Sequence, residues 1–457
     1  MRILSVSEIV KAVSGQLVTG SYDFPVFRIA TDSRKTAPGD CFFALVGKVN
    51  DAHQYIEQVL DSGCQVLVVS NYNAIPKEAF LGQYGDPSII LVEDTTKAFL
   101  ELGRFYLGSL KQLKKKIAVT GSVGKTSTRD LLYSAVSTKY VSAKCRDNFN
   151  NAFGLPLSII DFPEETEVAV LEMGMSVRDS IGVLSEMARP DISIITNVGI
   201  AHMENFPEDG REGILKTKLQ VAKYLTSEGT LIINADGDVL TKESAEGDYK
   251  LITVGTRPEF DYYIHDIDDF GERGINFQVT RRGETFKASI PLPGAHNAVN
   301  SGLAIACAEL IGITIEDAIK GIAGAEITGK RMKIAESNGI KIIDDTYNAG
   351  PESMRSAIST LMHIEGKRHI AILADMRELG EMAAKSHIDL GLYAGEMGVD
   401  VVLCTGEFSR LYGGVHFENR DELILYAKDF VKEGDVVLVK GSNSFRMGEV
   451  VKALLNK

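Results

Sequence analysis

The stretch Val119-Thr120-Gly121-Ser122-Val123-Gly124-Lys125-Thr126-Ser127 follows the apolar run Ile117-Ala118-Val119 and leads into a helix-like segment from Thr128 to Thr138. A strand, a glycine-containing loop and a helix start, in that order, are what a nucleotide phosphate requires. Gly121 and Gly124 let the backbone turn until its N–H groups face an anion. Lys125 adds a point charge over the terminal phosphates, and Thr126 offers a hydroxyl to Mg²⁺. The run Gly121, Ser122, Val123, Gly124, Lys125, Thr126, Ser127 is therefore the expected nucleotide-contact segment. Val119 stands where the strict GxxxxGK[ST] pattern has its first glycine, so the alternative is a glycine turn carrying a surface lysine. The flanking strand and helix favour the phosphate loop.

A chain of 457 residues corresponds to about three domains of ordinary size. With 49 basic against 62 acidic residues the formal charge is −13, which gives no general attraction to a polyanion and argues against nucleic acid as the main partner. The five cysteines, Cys41, Cys64, Cys145, Cys307 and Cys404, lack CxxC spacing and a neighbouring histidine cluster, and read as reduced, buried thiols. No apolar run approaches the roughly 18 residues that span a bilayer, so the expectation is a soluble cytoplasmic protein without membrane insertion.

The first hundred residues alternate apolar runs (Cys41–Leu45, Val66–Val69, Ile89–Val92) with helical patterns near 52–62 and 95–108, a small α/β unit. Asp32, Ser33 and Arg34 follow the β-like Phe27–Ala30. Read alone they are a solvated loop with an internal Asp–Arg pair, and a phosphate or sugar contact is the second reading. The basic segment Ser109 to Lys116 marks the first boundary.

Beyond the loop the alternation continues: strands at Val168–Leu171, Ile192–Thr196 and Leu231–Ile233, and helices at 178–187 and 212–225. Repeated βα units imply a mostly parallel sheet covered by helices, with ligands at the carboxyl ends of its strands. Glu172 ends one strand, and Asn197 with His202 lies just past another. Glu172 suits Mg²⁺, which prefers oxygen; His202 read alone is more often a structural hydrogen-bonding residue. Asn148, Asn150 and Asn151 precede a helix at 154–160 and either cap it or hold a substrate. His296 to Asn300 open the apolar helix 301–311, with Asn297 and Asn300 on one face, where their amides could bond an adenine edge or a ribose. Residues 276–290 read as an inserted hairpin. From about 327 a third pattern begins, a hairpin over 333–345 followed by βα units with strands at 370–373, 401–403 and 436–439.

Taken in order, Thr120 to Ser127, Asn148 to Gly154, Glu172, Asn197 to His202, His296 to Asn300, Arg331 and Asp344-Asp345-Thr346-Tyr347-Asn348 resemble the Mur ligases. The stretches Tyr347 to Met354, Ala374 to Glu381 with His387, and Lys440-Gly441-Ser442 are most similar to the members that join D-alanyl-D-alanine to UDP-N-acetylmuramoyl-tripeptide. Gly350, Ala374 and Asn443 depart from that pattern. The resemblance implies a three-domain α/β fold: an N-terminal domain for the UDP end of the substrate (1–110), a central phosphate-loop ATPase (111–326) and a Rossmann-like C-terminal ligase domain (327–457), in a monomer using ATP and Mg²⁺. It moves Asp32, Ser33 and Arg34 to uridine-diphosphate contacts and makes Glu172 and His202 metal ligands. Asn297 and Asn300 become nucleotide contacts, and Arg331 and Asp345 ATP contacts. Asn148, Asn150 and Asn151 are assigned to substrate, and Asn348 and Asp375 to the dipeptide site. Lys218 takes the place of a lysine carbamylated by CO₂, an extended carboxylate able to ligate a second metal ion, with Gln220 where a Glu is often found.

The implied chemistry is activation of a carboxylate by the γ-phosphoryl of ATP, then attack of an amine on the acyl phosphate. Lys125, Arg331 and Mg²⁺ answer the charge that grows on the phosphoryl oxygens, so catalysis is mainly positioning and charge stabilisation. A GTPase switch would show an Asn-Lys-x-Asp guanine reader, absent from this chain. Against a folate ligase or a ligase adding the third amino acid stand the stretches 347–354 and 375–381.

Overall fold

The computed structural model describes residues 1–329 and 331–457. It comprises two compact units: Met1–Ile117 with Tyr140–Met173 and Gly182–Pro190, and Ala118–Lys139 with Gly174–Ile181 and Asp191–Lys457.

In the first unit a five-stranded sheet runs in the order Gln16–Thr19, Ser88–Leu91, Val66–Val69, Asp40–Phe43, Arg28–Ala30. The first pair is antiparallel and the others parallel. Val66–Val69 is buried at every position, as befits a central parallel strand covered on both faces. The helix Thr95–Ser109 starts where the Asp94 carboxylate accepts from the N–H groups of Thr96 and Lys97. It packs on the helix Gly154–Ile160 so closely that a Cβ on Gly103 would lie 3.1 Å from Pro156 Cβ. That contact draws residues 140–173 into a unit whose sequence-based edge lies at 110.

In the second unit the strands Ile192–Ile195, Thr230–Asn234, Lys250–Gly255 and Tyr262–Asp269 are parallel, and the hairpin Ile275–Arg281/Glu284–Ile290 adds antiparallel to the last of them. Its turn has Arg282 and Gly283 at φ 51° and 83°, the paired left-handed conformation that matches strand twist. Asn338 and Gly339, at φ 50° and 71°, turn the hairpin Lys333–Ser337/Ile340–Asp345 in the same way.

That second hairpin opens a six-stranded sheet, continued in the order Asp435–Lys440, Arg368–Ala374, Val401–Thr405, Val415–Phe417. Alternate side chains of these strands divide into two cores. Ile343, Leu373, Cys404 and Leu438 meet the helices Pro351–Met362 and Ala383–Met397. Ile342, Ile372, Leu403 and Val439 meet Arg420–Phe430 and Gly448–Leu455. Period-two alternation under helices on both faces is the signature of a doubly wound α/β sheet. No helix among the described residues is long and apolar enough to cross a membrane.

The chain past 326 is held to the phosphate-loop helix Lys125–Val136 by a cluster around two buried charges. Thr328 N and Oγ1 each donate to Asp130 Oδ2 at 2.8 Å, and Arg129 Nε donates to Asp130 Oδ1 at 2.9 Å. Arg129 and Asp130 are both 0 % exposed. Asp130→Ala removes the carboxylate from a buried guanidinium and should cost about 3–5 kcal/mol; a lowered urea midpoint checks this, and an unchanged midpoint contradicts it. Burial also pushes the Cys64 and Cys404 thiols up to about 11 and raises Cys41 well above the usual thiol range. Because all five cysteines are buried, none should react with an aromatic disulfide reagent at neutral pH until denaturant is added.

Candidate active site

The strand Lys115–Thr120 runs into the phosphate loop, where Gly121 and Gly124 have φ 152° and 83°. Space demands glycine as firmly as the dihedrals do. A Cβ on Gly121 would lie 1.9 Å from Thr196 Oγ1, and one on Gly124 2.9 Å from Asn300 Oδ1. Gly124 is the N-cap of the helix, which therefore begins at Lys125 and not at Thr128. The electropositive helix end is thus delivered directly to the loop.

Asn197, just past the carboxyl end of Ile192–Ile195, fixes the loop. Its Oδ1 accepts from Ser122 N at 3.1 Å and Val123 N at 2.9 Å, and its Nδ2 donates to Val123 O at 2.9 Å. Gly199 N donates to Ser122 Oγ at 2.9 Å. Lys125 Nζ donates to Gly121 O at 2.8 Å and Ser122 O at 3.1 Å, so its charge lies along the loop. Thr126 is buried and Ser127 half-buried.

Asn297 and Asn300 support this arrangement. Asn300 Nδ2 donates to Asn297 Oδ1 at 3.1 Å and Asn297 Nδ2 to Pro293 O at 2.8 Å, which sets the Asn300 amide against Gly124. Lys218, on the helix Gly210–Leu219, is 1 % exposed. Burial holds its ammonium well below the usual lysine range; the charge of Lys125 acts in the same direction, and Glu352 opposes both. His202, at φ 67°, has Nδ1 2.5 Å from Glu378 Oε2, and this bond holds the Glu378 carboxyl below the ordinary range.

Arg331 stacks its guanidinium 3.9 Å from the Tyr347 ring centroid and donates to Thr328 O. Asp345 Oδ2 lies 2.5 Å from Lys440 Nζ, which also donates to Asn348 O at 2.8 Å. Asp375 is 0 % exposed and accepts from Glu407 N at 2.9 Å and Ser409 N at 2.7 Å. Here it shapes the turn at Gly406.

In the first unit Glu172 accepts from Asn150 Nδ2 at 2.8 Å. Asn151 Oδ1 accepts from Phe153 N and Gly154 N, the capping arrangement, and the Asn148 carbonyl accepts from Asn150 N. Arg34 forks onto Asp32 with two bonds of 2.8 Å, and this pairing brings the Asp32 carboxyl down to about 2. Ser33 opens the 3₁₀ turn that Asp32 caps.

No group of three or more His, Cys, Asp or Glu side chains among the described residues forms a ready metal site. Sequence reasoning passed over the bracing role of Asn197 and the Arg129–Asp130–Thr328 cluster. For Asn197 the available signal was its place at the carboxyl end of a parallel strand.

Models for the Mur ligase middle domain and for the Mur ligase glutamate ligase domain match residues 119–308 and 330–443. The UDP-N-acetylmuramoyl-tripeptide–D-alanyl-D-alanine ligase of Bacillus subtilis is 34 % identical, with 99 % of this chain and 98 % of that protein covered. The ligase of the same name from Escherichia coli is 30 % identical over the same shares. Among solved structures, MurF from Acinetobacter baumannii superposes with a TM-score of 0.90 at 28 % identity, all of both chains covered. MurF from Thermotoga maritima in complex with ADP gives 0.82 at 27 %, covering 94 % of this chain and 97 % of that one. With a glycine-forced phosphate loop in the middle match, a doubly wound sheet in the C-terminal one and relatives alike from end to end, the chain belongs to the Mur ligase family.

Proposed function

We propose that this chain is an ATP-dependent ligase that joins D-alanyl-D-alanine to UDP-N-acetylmuramoyl-tripeptide in peptidoglycan precursor synthesis. It works in the cytoplasm as a monomer with functional segments 1–110, 111–326 and 327–457. The observation that carries the reading is the loop in which Gly121 and Gly124 admit no side chain and Lys125 lies along the backbone. Relatives bearing the ligase name align over 99 % of this chain, and the ADP complex of the Thermotoga maritima protein supports nucleotide binding by this chain.

The residues act through position and charge. Lys125 and the helix end oppose the negative charge that grows on the transferred phosphoryl oxygens, and Arg331 adds a cation from the C-terminal segment. Asn197 and Asn300 keep the loop from relaxing. Thr126, buried beside Lys125, offers a hydroxyl to Mg²⁺, and His202 and Lys218 are its further ligands from the second unit. When bound, the ion supplies charge neutralisation at the phosphates. Lys218 is suited to carbamylation because only a neutral amine adds CO₂, and burial together with Lys125 disfavours its protonated form.

Phosphate release with ATP, UDP-N-acetylmuramoyl-tripeptide and D-alanyl-D-alanine, each omitted in turn, tests the assignment. Full turnover should need all three, and release that ignores the dipeptide would refute it. Lys125→Ala should lower kcat some hundreds-fold, from roughly 3–4 kcal/mol of lost charge stabilisation, with an unchanged melting curve. Lys218→Ala should lose most activity and regain part of it when small carboxylic acids are added. Full activity in this variant, or no uptake of labelled bicarbonate by the native protein, would reject the carbamate.

A further inference from the structure

The segment Asn197-Val198-Gly199-Ile200-Ala201-His202 touches the phosphate loop at one end and the C-terminal segment at the other. Asn197 and Gly199 N engage Ser122 and Val123. Val198 O accepts from Arg211 Nη2 at 3.0 Å, and Arg211 is itself fixed by two bonds to Asp238. Beyond these anchors, Ile200 turns to the C-terminal sheet. Its side chain packs against the core of that sheet, and its N–H donates to Glu352 Oε1 at 3.2 Å. Glu352 sits in the first turn of the helix Pro351–Met362. Its carboxylate lies so close over Gly199 that a Cβ there would be 2.4 Å from Oε1.

We infer that Glu352 is a positioning residue for phosphoryl transfer: through the Gly199–Ile200 peptide it locks the C-terminal helix to the phosphate loop. Two consecutive peptide units, joined at Gly199, then carry the two restraints. Ile200 N–H is held by the helix carboxylate, and the neighbouring Gly199 N–H holds Ser122 Oγ within the loop. Moving the helix moves Ser122, and an occupied loop holds the helix. Gly199 is the residue that lets a carboxylate approach the backbone this closely. The inference rests on the phosphate-loop reading of Lys125. Its rival, drawn from the same stretch of sequence, is that Glu352 binds the ammonium of the incoming dipeptide.

Steady-state kinetics of Glu352→Ala, Glu352→Gln and Gly199→Ala, with fluorescence titration of ATP alone, separate these roles. A hydrogen bond to a charged group lost in the transition state should lower kcat of Glu352→Ala by about 10- to 100-fold. The KM for D-alanyl-D-alanine and the affinity for ATP alone should stay within about threefold. Glu352→Gln, which keeps an acceptor oxygen, should recover most of that kcat. Gly199→Ala, whose methyl occupies the place of the carboxylate, should reproduce the loss, and the double variant with Glu352→Ala should add nothing further, as coupled sites do not add. A raised dipeptide KM at unchanged kcat would overturn the inference in favour of the rival. A kcat for Glu352→Ala within about twofold of the wild type, or full multiplication of the two losses in the double variant, would also overturn it. Should Glu352→Ala fail to fold, the Gly199→Ala and Glu352→Gln arms decide by the same criteria. Failure of the wild type to bind ATP would instead strike the phosphate-loop reading itself.

Discussion

The register of the phosphate loop depends on one side-chain amide. Asn197 uses its oxygen on two loop N–H groups and its nitrogen on a loop carbonyl. Three such bonds are each worth only about 1 kcal/mol net. Their leverage comes from where they act: Ser122 N also reaches the Asn197 carbonyl and Val123 O also accepts from Thr196 Oγ1, so the amide closes a network around the loop and is the acceptor that Val123 N uses. The approach that permits the bonds is a matter of missing atoms: with no Cβ on Gly121, the strand ends at Thr120 and Thr196 come close enough for Thr196 N to donate to Thr120 O at 2.9 Å. The same reasoning accounts for Val119. It is a fully buried residue inside the strand Lys115–Thr120, where the chain has not yet begun to turn and a glycine would serve no purpose.

Charge at the site runs against the charge of the chain. The whole carries −13, yet burial, with the charge of Lys125 acting in the same direction, disfavours the proton of Lys218. Arg331 is oriented over Tyr347 and tied to Thr328 O, and the adjoining Lys440 is engaged by Asp345. A few placed cations in a globally acidic molecule suit a small phosphorylated ligand better than a long polyanion.

Much of this was legible in the sequence because it rests on local rules. Strands buried on both faces appear as apolar runs such as Val66–Val69, and both hairpins turn on residue pairs ending in glycine, Arg282-Gly283 and Asn338-Gly339. The phosphate loop showed its strand and helix context. Features fixed by tertiary approach were not legible. The helix start at Lys125 follows from a left-handed Gly124 held against Asn300, a residue distant in the chain. Asn297 and Asn300 share a helix face, as their spacing says, but only the fold reveals that they bond to each other and brace that glycine. The bonding of Asp130 to Thr328, like the inclusion of 140–173 with the N-terminal sheet, joins segments that no spacing relates.

Beside the packing of Ile200 on the C-terminal core, polar contacts join the segment past 331 to the earlier part of its unit. Glu352 meets Ile200 N, Glu378 meets His202, Ser356 Oγ lies 2.6 Å from His296 Nδ1, and Lys341 pairs with Glu272 at 2.8 Å. Each is at least partly open to water, where such a bond or ion pair contributes on the order of 0–1 kcal/mol because solvent competes for both partners. A seam of this composition holds orientation well and stability poorly. It can be broken and remade at a cost that ligand binding readily covers, whereas the apolar cores on both faces of the C-terminal sheet cannot. The cluster of buried Arg129 and Asp130 with the half-buried Thr328 differs in kind. At 0 % exposure for Arg129 and Asp130, losing a partner there weakens the compensation of a charge that water cannot reach, so this point stays fixed while the exposed bonds exchange. A fixed point on the phosphate-loop helix, with exchangeable contacts along the loop 197–202, makes the geometry around Lys125 the place where any movement of the C-terminal segment is felt.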